Sequence, residues 1–171
     1  MQKAVWILVG LWVIVSGFSG CGYRFVGGGS FPEGIQTVFV EILENKTSDV
    51  GVENTFTNDL IYEITRTGAV KLTNENKAQG VLSGSITRIS NETVSRRDQK
   101  EAAERRLTVY VDLQLKATDG RVVWSGNSIA ANETYPVDPL KQQTEKNKSE
   151  AFDALSRRLA EVINNRMTSD F

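Results

Sequence analysis

Few side chains in this chain do chemistry, and the first of them is Cys21, the single cysteine of 171 residues. Histidine is absent. Those two counts exclude a Ser-His-Asp or Cys-His nucleophilic site, and a zinc site built on imidazole and thiolate. A pair of carboxylates working as acid and base across a sugar cleft, about 5 to 10 Å apart, remains chemically open. Glu41, Glu44, Asp49, Glu53 and Asp59 are candidates, and a strand face, a turn or a helix start accounts for each. Gly27-Gly28-Gly29 lacks the lysine and helix that follow a phosphate-binding loop, so it reads as a spacer. The densest run of charge is cationic: Arg96, Arg97, Lys100, Arg105 and Arg106. Asp98, Glu101 and Glu104 interleave with them, which leaves two readings: a patch that binds an anion, or a hairpin tip that pairs with itself and stabilises little. No catalytic residue, metal or cofactor is assigned, and an enzyme is not expected. A net charge of −1 gives no support for general nucleic-acid affinity.

The position of Cys21 says more than its chemistry. Lys3 gives a positive start, Ala4 to Val15 is almost wholly apolar, and Ser19 and Gly20 are small, the pattern of a secretory signal peptide over residues 1–20. A spanning helix needs about 20 apolar residues, and Ser16, Gly17, Ser19 and Gly20 interrupt this run. Phe18-Ser19-Gly20-Cys21 resembles the bacterial lipobox, with Phe18 in place of the usual leucine. The resemblance implies that Cys21 carries a diacylglyceryl thioether and an acylated amino terminus. Two or three acyl chains anchor stably where one does not. Modification also removes a lone thiol from an oxidising compartment. Gly22, where an aspartate retains many such proteins at the inner membrane, implies export to the outer membrane.

Removing that leader leaves roughly 150 residues, enough for one domain with one core. Residues 21–35 read as a lipidated start and a glycine-rich tether with aromatic anchors, and residues 36–171 as the domain. Thr37 to Leu43 reads as a strand, with Val38, Val40 and Ile42 on one face. A helix follows from about Val52 to Thr67, capped at Ser48 or Asp49 and stopped at Gly68, with Val52, Phe56, Leu60 and Ile64 in its stripe. Residues 69–79 read as a connection. Val81 to Arg96 makes a long strand whose inward parity changes near Thr87, as a bulge would cause. Leu107 to Ala117 alternates strictly between apolar and polar, Thr118-Asp119-Gly120-Arg121 turns, and Val122 to Ala131 returns antiparallel with Trp124 inward. Asp138 caps a last helix carrying Phe152, Leu155, Leu159, Val162 or Ile163, and Met167. The expected fold is α+β, two helices packed on one face of a four-stranded mixed sheet. In such a meander the last strand runs back toward the cationic turn, so Lys141 should emerge at the same end. Tyr110 on the polar face and Tyr135 in a loop are expected to be available for contact, while Trp124 and Phe152 belong to the core.

Cys-Gly-Tyr, then Phe31-Pro32-Glu33-Gly34-Ile35 before the first strand, and Glu44-Asn45-Lys46-Thr47 before the first helix resemble the LptE family of lipopolysaccharide-assembly lipoproteins. Gly84-Ser85-Ile86, Val123-Trp124, Glu133-Thr134-Tyr135-Pro136-Val137 and Asn165-Arg166-Met167 continue the likeness over essentially the whole mature chain. The resemblance implies a non-enzymatic protein that sits inside an LptD-like outer-membrane barrel, helps it assemble and assists delivery of lipopolysaccharide. It also implies that the anion for Arg96, Arg97, Lys100, Arg105, Arg106 and Lys141 is lipopolysaccharide, whose lipid A phosphates suit guanidinium forks. Arg96 and Lys141 match the family's basic positions best. A lipid-anchored scaffold for another envelope complex would share leader and fold and differ in its partner.

Overall fold

The computed structural model describes residues 31–66, 68, 70–98 and 101–169. Cys21, the leader, the tether through residue 30 and Lys100 lie outside the described residues. The chain enters through a 3-10 turn at Pro32–Gly34, where the buried side chains of Phe31 and Ile35 already belong to the core.

Strands β1 (Thr37–Val40) and β2 (Glu44–Asn45) lie one after the other along the same edge of β4 (Gly80–Arg96), both parallel to it. They stand where one strand over 37–43 was expected, and the reason lies at Leu43. Its N–H leaves the sheet and donates to Thr57 Oγ1 in the first helix at 3.2 Å. The backbone bend reverses the side-chain parity: Leu43 is 1% exposed, while Ile42, expected inside with Val38 and Val40, is 69% exposed. Glu41 N–H to Leu82 O and Lys46 N–H to Ile86 O keep the chain tied to β4 across the break.

Helix α1 (Val52–Arg66) turns Phe56, Leu60 and Ile64 inward at the four-residue spacing of one helical face. Gly68, with φ +70, ends it by donating its N–H to Thr65 O, in the left-handed conformation that a Cβ disfavours. Its start differs from expectation. The Gly51 carbonyl accepts from Asn54 and Thr55, and Asp49 instead engages the second helix. Within 69–79, read as a plain connection, Lys71–Leu72 forms β3, a two-residue strand parallel to β1.

The rest of the sheet is the meander of β4, β5 (Ala102–Ala117) and β6 (Val122–Pro136), antiparallel throughout. Among the described residues the sheet thus has six strands rather than four, in the order β3-β1-β4-β5-β6 with β2 beside β4. The two extra strands are two residues each, too short for any periodicity to announce them. The β4 register slips between Ile86 and Arg88, so Thr87 is the bulge and Ile89 comes to face Val109. A second irregularity in β6 sets Asn127 and Ser128 opposite Asp112. There Ser128 has φ 50 and donates its N–H to Asp112 Oδ1 at 2.7 Å.

Helix α2 (Lys141–Ser169) starts where Asp138 Oδ1 accepts from Leu140 N–H, as expected of the cap. Leu155, Leu159, Ile163 and Met167 are fully buried, Val162 only in part, and Phe152 packs against the core from its margin. Both helices cover one face of the sheet, over Leu82, Ile86, Leu107, Val109, Val111, Leu113, Leu115, Trp124 and Ile129. Ser156, fully buried on α2, donates to Asp59 on α1 and joins the helices through a satisfied polar contact. The other face of the sheet is polar and uncovered by helix.

Candidate functional site

β4 and β5 run together to one end of the sheet, and there the cationic residues gather. The last rungs pair Glu92 with Arg106, Thr93 with Arg105, Ser95 with Glu104 and Arg96 with Ala102. Arg97 N–H to Glu101 O, and Glu101 N–H to Asp98 Oδ1, close the tip at 2.9 Å each. β6 accompanies β5 as far as Pro136 opposite Glu104, and Val137 N–H donates to Ala103 O. The chain therefore leaves the sheet beside the tip, and Lys141 emerges at that end as the topology required. It does so as the exposed first residue of α2 rather than within a loop.

Strand alternation divides the cluster. Arg106 is exposed on the open face, in a row with Glu92 and Thr134. Arg105 has the parity of buried Leu107 and lies opposite Thr93 and Tyr135 on the helix side, half-buried. Arg96 and Arg97 are exposed at the tip. Among the described residues, no ion pair joins Arg97, Arg105, Arg106 or Lys141 to a carboxylate. Of the interleaved acids, Asp98 Oδ1 closes the turn and Glu104 accepts from Ser95 Oγ at 3.0 Å. Arg96 and Asp98 do have partners at the tip, so part of it is internally paired, while Arg97, Arg105, Arg106 and Lys141 stand outside the ion pairs of the described residues.

Two aromatic expectations change. Tyr135 is in β6, not a loop, and is 2% exposed, with its hydroxyl accepting from Asn91 Nδ2 at 2.6 Å; it braces the hairpin from the helix side. Tyr110 does lie on the open face, but Arg88 stacks over its ring at 3.9 Å from the centroid. Sequence reasoning missed Arg88. The Thr87 bulge that puts it opposite Tyr110 was visible in the pattern, but its consequence for that one side chain was not.

The open face continues as rows of hydroxyl and amide groups, Ser90 with Thr108 and Asn132, and Ser83 with Gln114 and Ser125. On the helix side an open cleft of about 300 Å³ lies over Ile89, Leu107 and Phe152. Asp49 and Lys148 stand at its rim, 2.8 Å apart, and the hydrogen bond to Asp49 raises the Lys148 ammonium above its ordinary pKa. Among the described residues, no group of three or more histidine, cysteine or acidic side chains is placed to hold a metal ion. Nor, among the described residues, is any helix long and apolar enough to cross a membrane.

A family model described as "LptE: Lipopolysaccharide-assembly" matches residues 35–168. No curated protein sequence matches the chain. Among solved structures, an uncharacterized lipoprotein B from Nitrosomonas europaea superposes with a TM-score of 0.61 at 13% identity, over 88% of this chain and 92% of that one. The rare lipoprotein B from Shewanella oneidensis gives 0.53 at 17%, over 77% and 95%. A minor lipoprotein from Acinetobacter baumannii gives 0.52 at 17%, over 80% and 92%. Identities this low establish a shared fold.

Proposed function

Because the chain belongs to the LptE lipopolysaccharide-assembly family, we propose that it is an outer-membrane lipoprotein, acylated at Cys21, that plugs an LptD-like barrel, helps it assemble and assists passage of lipopolysaccharide. The role is non-enzymatic. The observation that carries the ligand part is the meeting of Arg96, Arg97, Arg106 and Lys141 at one end of the sheet. Of these, Arg97, Arg106 and Lys141 are not held by carboxylates among the described residues. Cations free of internal partners are the ones that phosphates of lipopolysaccharide can engage with charge-assisted hydrogen bonds. Lys100 belongs to the same set by sequence. Arg105, on the helix side, reaches that ligand only from the margin. The polar open face, backed by two helices, supports the plug role, since the lumen of a large barrel is itself polar.

Two measurements test the reading. Affinity purification of the lipidated protein from its native envelope in mild detergent, followed by mass spectrometry, should recover a large outer-membrane barrel in stoichiometric amount together with lipopolysaccharide. Recovery of other envelope proteins without the barrel would favour the scaffold alternative. Reversal of charge at Arg96, Arg97 and Lys141 should weaken lipopolysaccharide binding at least about tenfold without lowering the melting temperature. Equal binding by that variant would remove the site.

A further inference from the structure

The open face of the sheet carries a depression of about 470 Å³, far from the cationic tip, between the β1–β2 connection and strands β4 to β6. Its lining is acidic. Glu44 is neutralised by Lys46 at 3.2 Å, and Asp112 spends Oδ1 on Ser128 N–H, leaving its second oxygen uncommitted. Glu41 has neither a hydrogen bond from its carboxylate nor an ion pair among the described residues. An acidic lining alone says little, but the floor adds a second observation. Ser85 is 6% exposed, its hydroxyl has no hydrogen-bond partner among the described residues, and the oxygen opens onto the depression rather than being sealed off. A hydroxyl that the protein leaves unbonded on a recessed floor, its oxygen still accessible, is a group that a ligand can engage. Ile42, 69% exposed, stands at the mouth as apolar surface beside acceptors.

Uncompensated carboxylates, an acceptor hydroxyl below them and an apolar lip together fit a side chain with an aliphatic stem and a planar cationic head bearing several donors. We propose that this depression receives an arginine side chain presented by the wall of the barrel in which the domain sits. The inference rests on the barrel reading above and names the chemistry of that contact. Arginine offers five N–H donors, enough for Glu41, Asp112 Oδ2 and Ser85 Oγ at once, and it is the charged residue most favoured at the energetic centres of interfaces.

The test uses the full lipidated chain in its native envelope. A photoreactive amino acid placed at Ile42 should crosslink to a barrel peptide containing arginine. Glu41→Lys should reduce recovery of the barrel about tenfold, with an unchanged melting curve, whereas Glu75→Lys, the same charge change on a distant turn, should not. Replacing the crosslinked arginine by glutamate in the barrel should restore recovery with Glu41→Lys. Crosslinking to a barrel peptide without a basic residue, or equal recovery by the Glu41 and Glu75 variants, overturns the arginine contact while leaving the barrel reading intact. Failure of the unmodified chain to recover any barrel overturns both.

Discussion

Gly84→Ala is the sharpest test of the close packing of β4 against β5. A Cβ built on Gly84 falls 2.2 Å from Asp112 O and 3.0 Å from Leu113 Cα, backbone atoms of the neighbouring strand, and 2.6 Å from Leu113 Cδ2. The leucine tip can rotate, but the strand cannot yield without lengthening the Gly84–Leu113 rung and disturbing a side chain at the centre of the core. Overpacking of this kind costs about 1 to 3 kcal/mol, and backbone collision belongs at the upper end. Restricting the unfolded chain returns about 0.5 to 1 kcal/mol. The net loss is therefore about 2 kcal/mol, which for a domain of this size lowers the melting temperature by about 5 to 10 °C. Gly68→Ala is the control. It meets no atom within 4 Å and strains only φ +70, so it should cost about 1 kcal/mol. Thermal and urea unfolding of both variants, followed by circular dichroism, reads the difference. A Gly84→Ala protein as stable as the parent, or more stable than Gly68→Ala, would refute the packing argument.

Cys21→Ser should abolish acyl mass and move the protein out of the membrane fraction; retention in that fraction without acyl mass would reveal another anchor. Leu113→Asp places a carboxylate among apolar side chains at a position 2% exposed and should abolish the cooperative melt, so a normal melting curve would contradict its core placement. The Asp49–Lys148 pair is about a third exposed, so Asp49→Ala should cost less than about 1 kcal/mol. The folded-state pKa of Lys148 is raised, so its contribution is complete below the unfolded value of 10.5 and is lost as pH rises through the higher folded value. A difference between parent and Asp49→Ala that already vanishes between pH 7 and 9 would contradict this.

The long elements were legible because their periods are long enough to count. β5 alternates through Leu107, Val109, Val111, Leu113 and Leu115, and α2 repeats through Leu155, Leu159 and Ile163; both occur as read, as does the Thr87 bulge. The resemblance to the LptE family, carried by turns and strand ends, agrees with the match over residues 35–168. What escaped were features set by tertiary contact. Nothing in the order Phe39-Val40-Glu41-Ile42-Leu43 announces that Thr57, fourteen residues on, will draw the Leu43 N–H out of the sheet and exchange the burial of Ile42 and Leu43. β3 is held at the margin by pairing with β1, and Lys71 and Leu72 offer no intrinsic strand signal of that length. For the site, linear clustering located the cations, but only register separates Arg105 from Arg106. Adjacent residues in a strand point to opposite faces, so the densest charge in the sequence becomes two surfaces in the fold.

The two faces of the sheet bear on the proposed plug role in different ways. The helix-covered face holds the apolar core, so the open face is the broad β surface that remains available to a partner. That face is far from featureless: the Thr87 bulge sets Arg88 over Tyr110, and the β6 irregularity commits one oxygen of Asp112 to Ser128. Each irregularity fixes the orientation or charge of a polar group on the open side while Val109, Val111 and Ile129 stay buried on the other. Bulges placed this way let a sheet vary its outer chemistry without disturbing its core. The proposed plug would need that separation, because a surface facing a barrel wall can then change while the helices and inner strand faces keep the core intact.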